Sequence, residues 1–196
     1  MALVAFLRGL NVGGHRRVRT TALARQLAHL DVVNIGAAGT LVVRRRVSQA
    51  ALRAELKARL PVDAHVAICR GSDVVALVAQ DHFGARRPRP DCVRFVSVLV
   101  RRPRLAPAAP LRLPASGRWL VDVLAHDGRF VVGVHRREMK AIGALAALDR
   151  LFGTPATARG WTTMEAVAKI LQAAPAATRR IGSRRTARSA RPAVVK

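Results

Sequence analysis

Short apolar runs alternate with stretches of helical period in the order strand, helix, strand, strand, helix, strand, and that order limits the folds open to this chain. Ala2 to Leu7 is apolar at every position, as expected of a strand covered on both faces. After a glycine-rich turn, Thr20 or Thr21 can cap a helix whose apolar stripe is Leu23, Leu27 and Leu30. Val32 to Ile35 and Thr40 to Val43 follow as strands, joined by a small-residue turn at Gly36 to Gly39. Ser48 caps a second helix with Leu52, Leu56 and Leu60 on one face, and Pro61 stops it. Ala64 to Arg70 reads as a fourth strand, and Ser72 opens a connecting helix through Val74, Val75, Leu77 and Val78. This βαββαβ succession is that of a ferredoxin-like unit.

The second half repeats the plan imperfectly. It opens with the apolar strand Val93 to Val100, but Pro103, Pro107, Pro110 and Pro114 stand where a first crossover helix belongs. Proline removes a backbone donor and fixes φ, so an extended or irregular connection is expected there. Trp119 to Ala125 and Arg129 to Val134 flank Asp127-Gly128, a hairpin signal. A helix from about Glu138 to Phe152 precedes Gly153, and Ala156 to Trp161 supplies a last strand. Thr162-Thr163-Met164-Glu165 fits a capping box for a final helix reaching about Gln172. The expected fold class is therefore α+β. It comprises two tandem ferredoxin-like subdomains, residues 1–84 and 85–172, the second with a degenerate first crossover, and a disordered Arg-rich tail over 173–196.

Lysine and arginine outnumber aspartate and glutamate by 35 to 11, a formal net charge of +24. Setting aside the seven basic residues of 173–196 leaves 28 against the same 11 acids, so the body alone carries +17. Attraction to polyanions follows whatever else the chain does. The 51% hydrophobic content suffices for a core, and charges interrupt every apolar run well short of the roughly 20 residues that span a bilayer. The start of the chain lacks a basic n-region and a small-residue cleavage site, so a cytoplasmic protein with no membrane partner is expected. Cys69 and Cys92 lie in separate expected strands with no metal-ligand spacing, and read as small core residues in a reducing compartment.

The turn Leu7-Arg8-Gly9-Leu10-Asn11-Val12-Gly13-Gly14-His15-Arg16-Arg17 lies between the first strand and the first helix. Its glycines permit close backbone approach, and its cations add charge, so an anion could be held there by backbone amides. The competing reading is a tight βα turn in which Asn11 bonds its own backbone. The turn lacks GxxxxGK[ST] spacing and an acidic ribose partner, so it is no nucleotide fingerprint.

The stretch FLRGLNVGG at 6 to 14 resembles the LLRGINVGG opening of a family of small bacterial proteins, domain of unknown function 1697. The turn Asn34 to Val43 occupies the place of that family's YIQSGNVVF, the Ser-Asp helix after Arg70 matches its connector, and ATARGWTTM at 156 to 164 is similar to its ATTRNWNTV. Ala37, Ala38 and Thr40 replace the polar residues of the family's turn, and Gly160 and Thr162 replace two asparagines, leaving Arg159 and Trp161. The resemblance implies ferredoxin-like α+β subdomains. It implies no known reaction, cofactor or partner.

No GxSxG elbow, Cys/His pairing or closely spaced carboxylate pair occurs, and no two histidines have HExxH spacing. No catalytic residue is assigned, no cofactor or metal is expected, and Asp122 reads as the solvent face of a strand. Two functions compete. One is non-specific, non-enzymatic binding of DNA or RNA backbone through Arg44, Arg45, Arg46, Arg101, Arg102 and the tail residues Arg179, Arg180, Arg184, Arg185 and Arg188. Aromatics amount to 4% with no tyrosine, which argues against base stacking. The other is a small-molecule or phosphate site, catalytic or not, formed by Arg8, Gly9, Asn11, Gly13, Gly14, His15, Arg16, Arg159 and Trp161.

Overall fold

A computed structural model describes residues 1–10, 18–60, 64–84 and 89–173. The first half contains strand β1 (Leu3–Arg8), helix α1 (Thr20–Gln26), strands β2 (Val32–Ile35) and β3 (Thr40–Val43), helix α2 (Gln49–Lys57), strand β4 (His65–Arg70) and helix α3 (Gly71–Ala79). Its sheet is antiparallel throughout, in the order β2-β3-β1-β4. The second half contains β5 (Cys92–Leu99), β6 (Leu111–Leu113), β7 (Val121–Asp127), β8 (Phe130–Arg136), α4 (Met139–Ala146), α5 (Leu148–Leu151), β9 (Ala156–Gly160) and α6 (Trp161–Gln172). They form a second antiparallel sheet, β6-β7-β8-β5-β9.

Alternation along β1 explains its unbroken apolarity. Leu3, Ala5 and Leu7 face Leu23 of α1, Leu27 just after it, and Leu52 and Leu56 of α2. Val4 and Phe6 face the other way, into a core built with Val74 and Leu77 of α3, Val96 and Val98 of β5, and Met164 and Val167 of α6. The two sheets thus share this central core with α3 and α6. A third cluster, Phe95, Leu99, Val123 and Val131 with Leu148 and Phe152, covers the far face of the second sheet. Among the described residues no helix is long and apolar enough to cross a membrane.

Several local expectations need correction. Arg19, not a threonine, precedes α1, and it makes no side-chain cap. The helix expected from Glu138 to Phe152 breaks at Ala147, whose amide bonds both Gly143 and Ala144 carbonyls. Helix α6 begins at Trp161 with no side-chain cap, so the expected capping box does not form. The proline-rich connection includes a short strand, β6, paired with β7, because Pro110 and Pro114 flank Leu111–Leu113 without interrupting it. Asp122 is buried, 8% exposed, and pairs with Arg112 at 3.2 Å. Ser48 does cap α2, accepting from the Ala51 amide at 3.1 Å. The tail from residue 174 onward lies outside the described residues.

Candidate functional site

The end of β1 meets the start of β9, so residues far apart in sequence converge. Arg8 donates to the Asp149 carboxylate and to the Ala156 carbonyl at 2.6 Å. Asp149 also accepts from the Ala156 amide at 2.9 Å. Arg8 therefore ties the first sheet to the α5–β9 connection, with both side chains partly exposed.

Arg159, on β9, is 6% exposed and has no carboxylate partner among the described residues. Its Nε donates to Thr40 Oγ1 at 2.7 Å, and its Nη1 to Thr157 Oγ1 at 2.7 Å and the Ala158 carbonyl at 2.8 Å. Nη2 donates to the carbonyls of Leu7 (2.8 Å), Ala38 (2.6 Å) and Gly39 (3.1 Å). Every guanidinium hydrogen is committed. Burial pushes its pKa down to about 10, which leaves it charged at neutral pH. The β2–β3 turn presents these carbonyls because Gly39 takes φ +76°, and a Cβ there would stand 2.8 Å from Leu7 and Leu10 side chains. Trp161, the first residue of α6, lies edge to face with Phe83 at 4.9 Å and with His82 at 5.9 Å.

Gly9 lies in the same region with φ +81°, whereas Asn11, Gly13, Gly14, His15 and Arg16 lie outside the described residues. Arg8 and Arg159 both reach the junction of β1 and β9 and are engaged there by the protein's own oxygens, whereas the Trp161 ring packs on His82 and Phe83.

A different surface leaves arginines uncommitted. Three concavities adjoin one another through shared lining residues. The first, about 590 Å³, is lined by Met1, Arg46, Ser48, Gln49 and Arg70. The second, about 440 Å³, includes Gln49 and Arg70 again with Asp73, Arg102, Asp127 and Arg129. The third, about 750 Å³, includes Arg102 again with Arg101, Arg104 and Arg150. Shared residues join them in sequence. Arg46, Arg70, Arg101, Arg102, Arg104 and Arg150 are exposed, and their side chains have no ion-pair or hydrogen-bond partner among the described residues. Arg44, by contrast, pairs with Asp31 at 2.7 Å, and Arg45 donates to the His29 carbonyl at 2.9 Å. Of the expected backbone-binding residues, Arg46, Arg101 and Arg102 line this surface, and Arg179, Arg180, Arg184, Arg185 and Arg188 lie outside the described residues. Arg70 and Arg150 were not singled out because each is a lone arginine at an element end.

The thiols take no part in this surface as nucleophiles. Cys69 lines the second concavity but is 3% exposed, and burial pushes it up to about 11. Burial also raises Cys92, with Asp91 adding to the effect. At pH 8 only about one Cys69 in a thousand would be thiolate. Iodoacetamide should therefore leave both cysteines of the native chain unlabelled under conditions that alkylate both in urea, and rapid native labelling followed by mass spectrometry would contradict this. Among the described residues no group of three His, Cys, Asp or Glu side chains could hold a metal ion.

Two antiparallel sheets with a shared helical core define an α+β protein. The chain belongs to the DUF1697 family, described as proteins of unknown function, whose model matches residues 1–118. A solved structure of a conserved bacterial protein from Streptococcus pneumoniae is similar in fold, with a TM-score of 0.54 at 17% identity, over 88% of this chain and 98% of that one. No curated protein matches the sequence.

Proposed function

We propose that this chain binds the phosphate backbone of nucleic acid without reading its sequence. The observation that carries the proposal is the run of three joined concavities bearing six exposed arginines that have no carboxylate partner among the described residues. Arginine meets phosphate in bidentate geometry, and each contact releases condensed counterions. The two aromatics among the described lining residues, Phe130 and Phe152, are buried and offer no stacking platform, in keeping with contacts to backbone alone.

The scaffold we infer for this surface is a tandem of ferredoxin-like units over residues 1–84 and 85–172. In support, strands β7-β8-β5-β9 follow the same relative order in their half as β2-β3-β1-β4 in theirs, with β6 added at the edge in place of a crossover helix.

The test is affinity of the full chain for double-stranded DNA and for RNA as salt rises. With six or more phosphate contacts, affinity should fall about a thousandfold between 50 and 200 mM salt. The variant combining Arg46→Ala, Arg101→Ala, Arg104→Ala and Arg150→Ala should lower the slope of log affinity against log salt by about one unit per arginine. A flat dependence, or an unchanged slope in the variant, would overturn the proposal.

A further inference from the structure

The central concavity differs from its neighbours in two respects. Its floor includes an arginine already fixed in place, and its walls include carboxylates.

Arg129 follows the β7–β8 turn and reaches across to the first sheet. Its Nε donates to the Leu99 carbonyl at 2.9 Å, Nη1 to the Ile68 carbonyl at 2.6 Å and Nη2 to the Val100 carbonyl at 2.8 Å. One hydrogen on each Nη is left uncommitted among these bonds. No carboxylate pairs with this guanidinium among the described residues. A side chain held by carbonyls of β4 and β5 has already lost its rotamer freedom, so a ligand engaging it bears little of that cost. Arg70, at the end of β4, and Arg102, whose guanidinium group lies beside Gly128, add two exposed cations to the lining.

Asp73 of α3 and Asp127 of the β7–β8 turn line the same cleft, and neither forms an ion pair among the described residues. A polymer backbone alone has no use for carboxylates, which repel phosphate. A small ligand that combines an anionic group with hydroxyl or amine donors uses both kinds of lining. The cavity of about 440 Å³ is of the size that holds such a ligand.

We propose that this cleft binds a phosphate monoester carried on a donor-rich body, the phosphate on Arg129, Arg70 and Arg102 and the donors on Asp73 and Asp127. Sugar phosphates and nucleoside monophosphates share this chemistry. The site shares Arg70 and Arg102 with the polymer-binding face but stands independently of it, through Arg129 and the two carboxylates.

Isothermal titration of the full chain with glucose 6-phosphate, adenosine monophosphate, inorganic phosphate, glucose and adenosine tests the proposal. At least one monoester should bind about tenfold more tightly than its dephosphorylated counterpart and than inorganic phosphate, and the tighter monoester identifies the source. Arg70→Ala with Arg102→Ala should weaken that monoester about tenfold per arginine while leaving thermal unfolding unchanged, since both side chains are exposed. Asp73→Asn with Asp127→Asn should narrow the preference for monoester over inorganic phosphate. Arg104→Ala with Arg150→Ala should weaken DNA without touching the monoester, which separates this site from the polymer reading. Absence of monoester binding, equal affinity for all probes, or binding indifferent to Arg70→Ala with Arg102→Ala would overturn it.

Discussion

Replacing Arg159 with alanine should destabilise the chain by about 4 kcal/mol, enough to lower its melting temperature by about 10 °C. The loss does not come from an ion pair, because no carboxylate faces this guanidinium among the described residues. It comes from the oxygens left behind. The carbonyls of Leu7, Ala38 and Gly39, from β1 and the β2–β3 turn, and the hydroxyl of Thr40 all lie in the first half of the chain, and all would lose a charged donor in a site that excludes water. A buried acceptor without a partner costs about 1–3 kcal/mol; the Gly39 carbonyl keeps the Leu7 amide at 2.8 Å and the Leu7 carbonyl keeps the Thr157 hydroxyl at 3.4 Å, while Ala38 and Thr40 lose most. Arg159→Lys should cost about half as much, because the ammonium keeps the charge but cannot present a planar fork to oxygens on several sides. Urea unfolding of the three proteins checks this, and an alanine variant within about 1 kcal/mol of the parent would show that water replaces the guanidinium.

Arg159 also shows where sequence reading ends. Its place beside Trp161 in a motif was visible, but its partners lie some 120 and 150 residues earlier in the chain, and no periodicity connects them. Arg129 is the sharper case. It is a single cation after a turn, and one of the three carbonyls that fix it, that of Ile68, belongs to the other sheet. Clusters such as Arg44 to Arg46 are legible, yet spacing does not tell that Arg44 is spent on Asp31 while Arg46 is free to line a concavity.

The order of strands and helices was legible for a physical reason. Strands covered on both faces read as continuous apolar runs, and β1 divides its residues between two cores as that rule requires. Helix ends were less so. The break at Ala147 falls within an alanine-rich stretch that carries no proline or other stop signal, and α6 starts at Trp161, whose ring packs edge to face with Phe83 and His82.

Two glycine-to-alanine substitutions in the second half should have opposite signs. Gly133 lies in β8, opposite Val123 of β7, and a Cβ there would stand 2.3 Å from the Asp122 carbonyl oxygen and 3.0 Å from the Phe95 ring. The first of these is backbone in the paired strand, so relief requires the ladder to open rather than a side chain to turn. Gly133→Ala should cost about 3 kcal/mol or more, at the upper end of overpacking effects. Gly143 lies inside α4 with nothing within 4 Å of its added carbon. There the methyl group meets no neighbour, and alanine restricts the unfolded chain, so Gly143→Ala should stabilise by about 0.5–1 kcal/mol. Thermal unfolding of the two variants beside the parent should place Gly133→Ala well below it and Gly143→Ala a few degrees above. If Gly133→Ala melted with the parent, β7 and β8 could not approach as closely as the register between them requires.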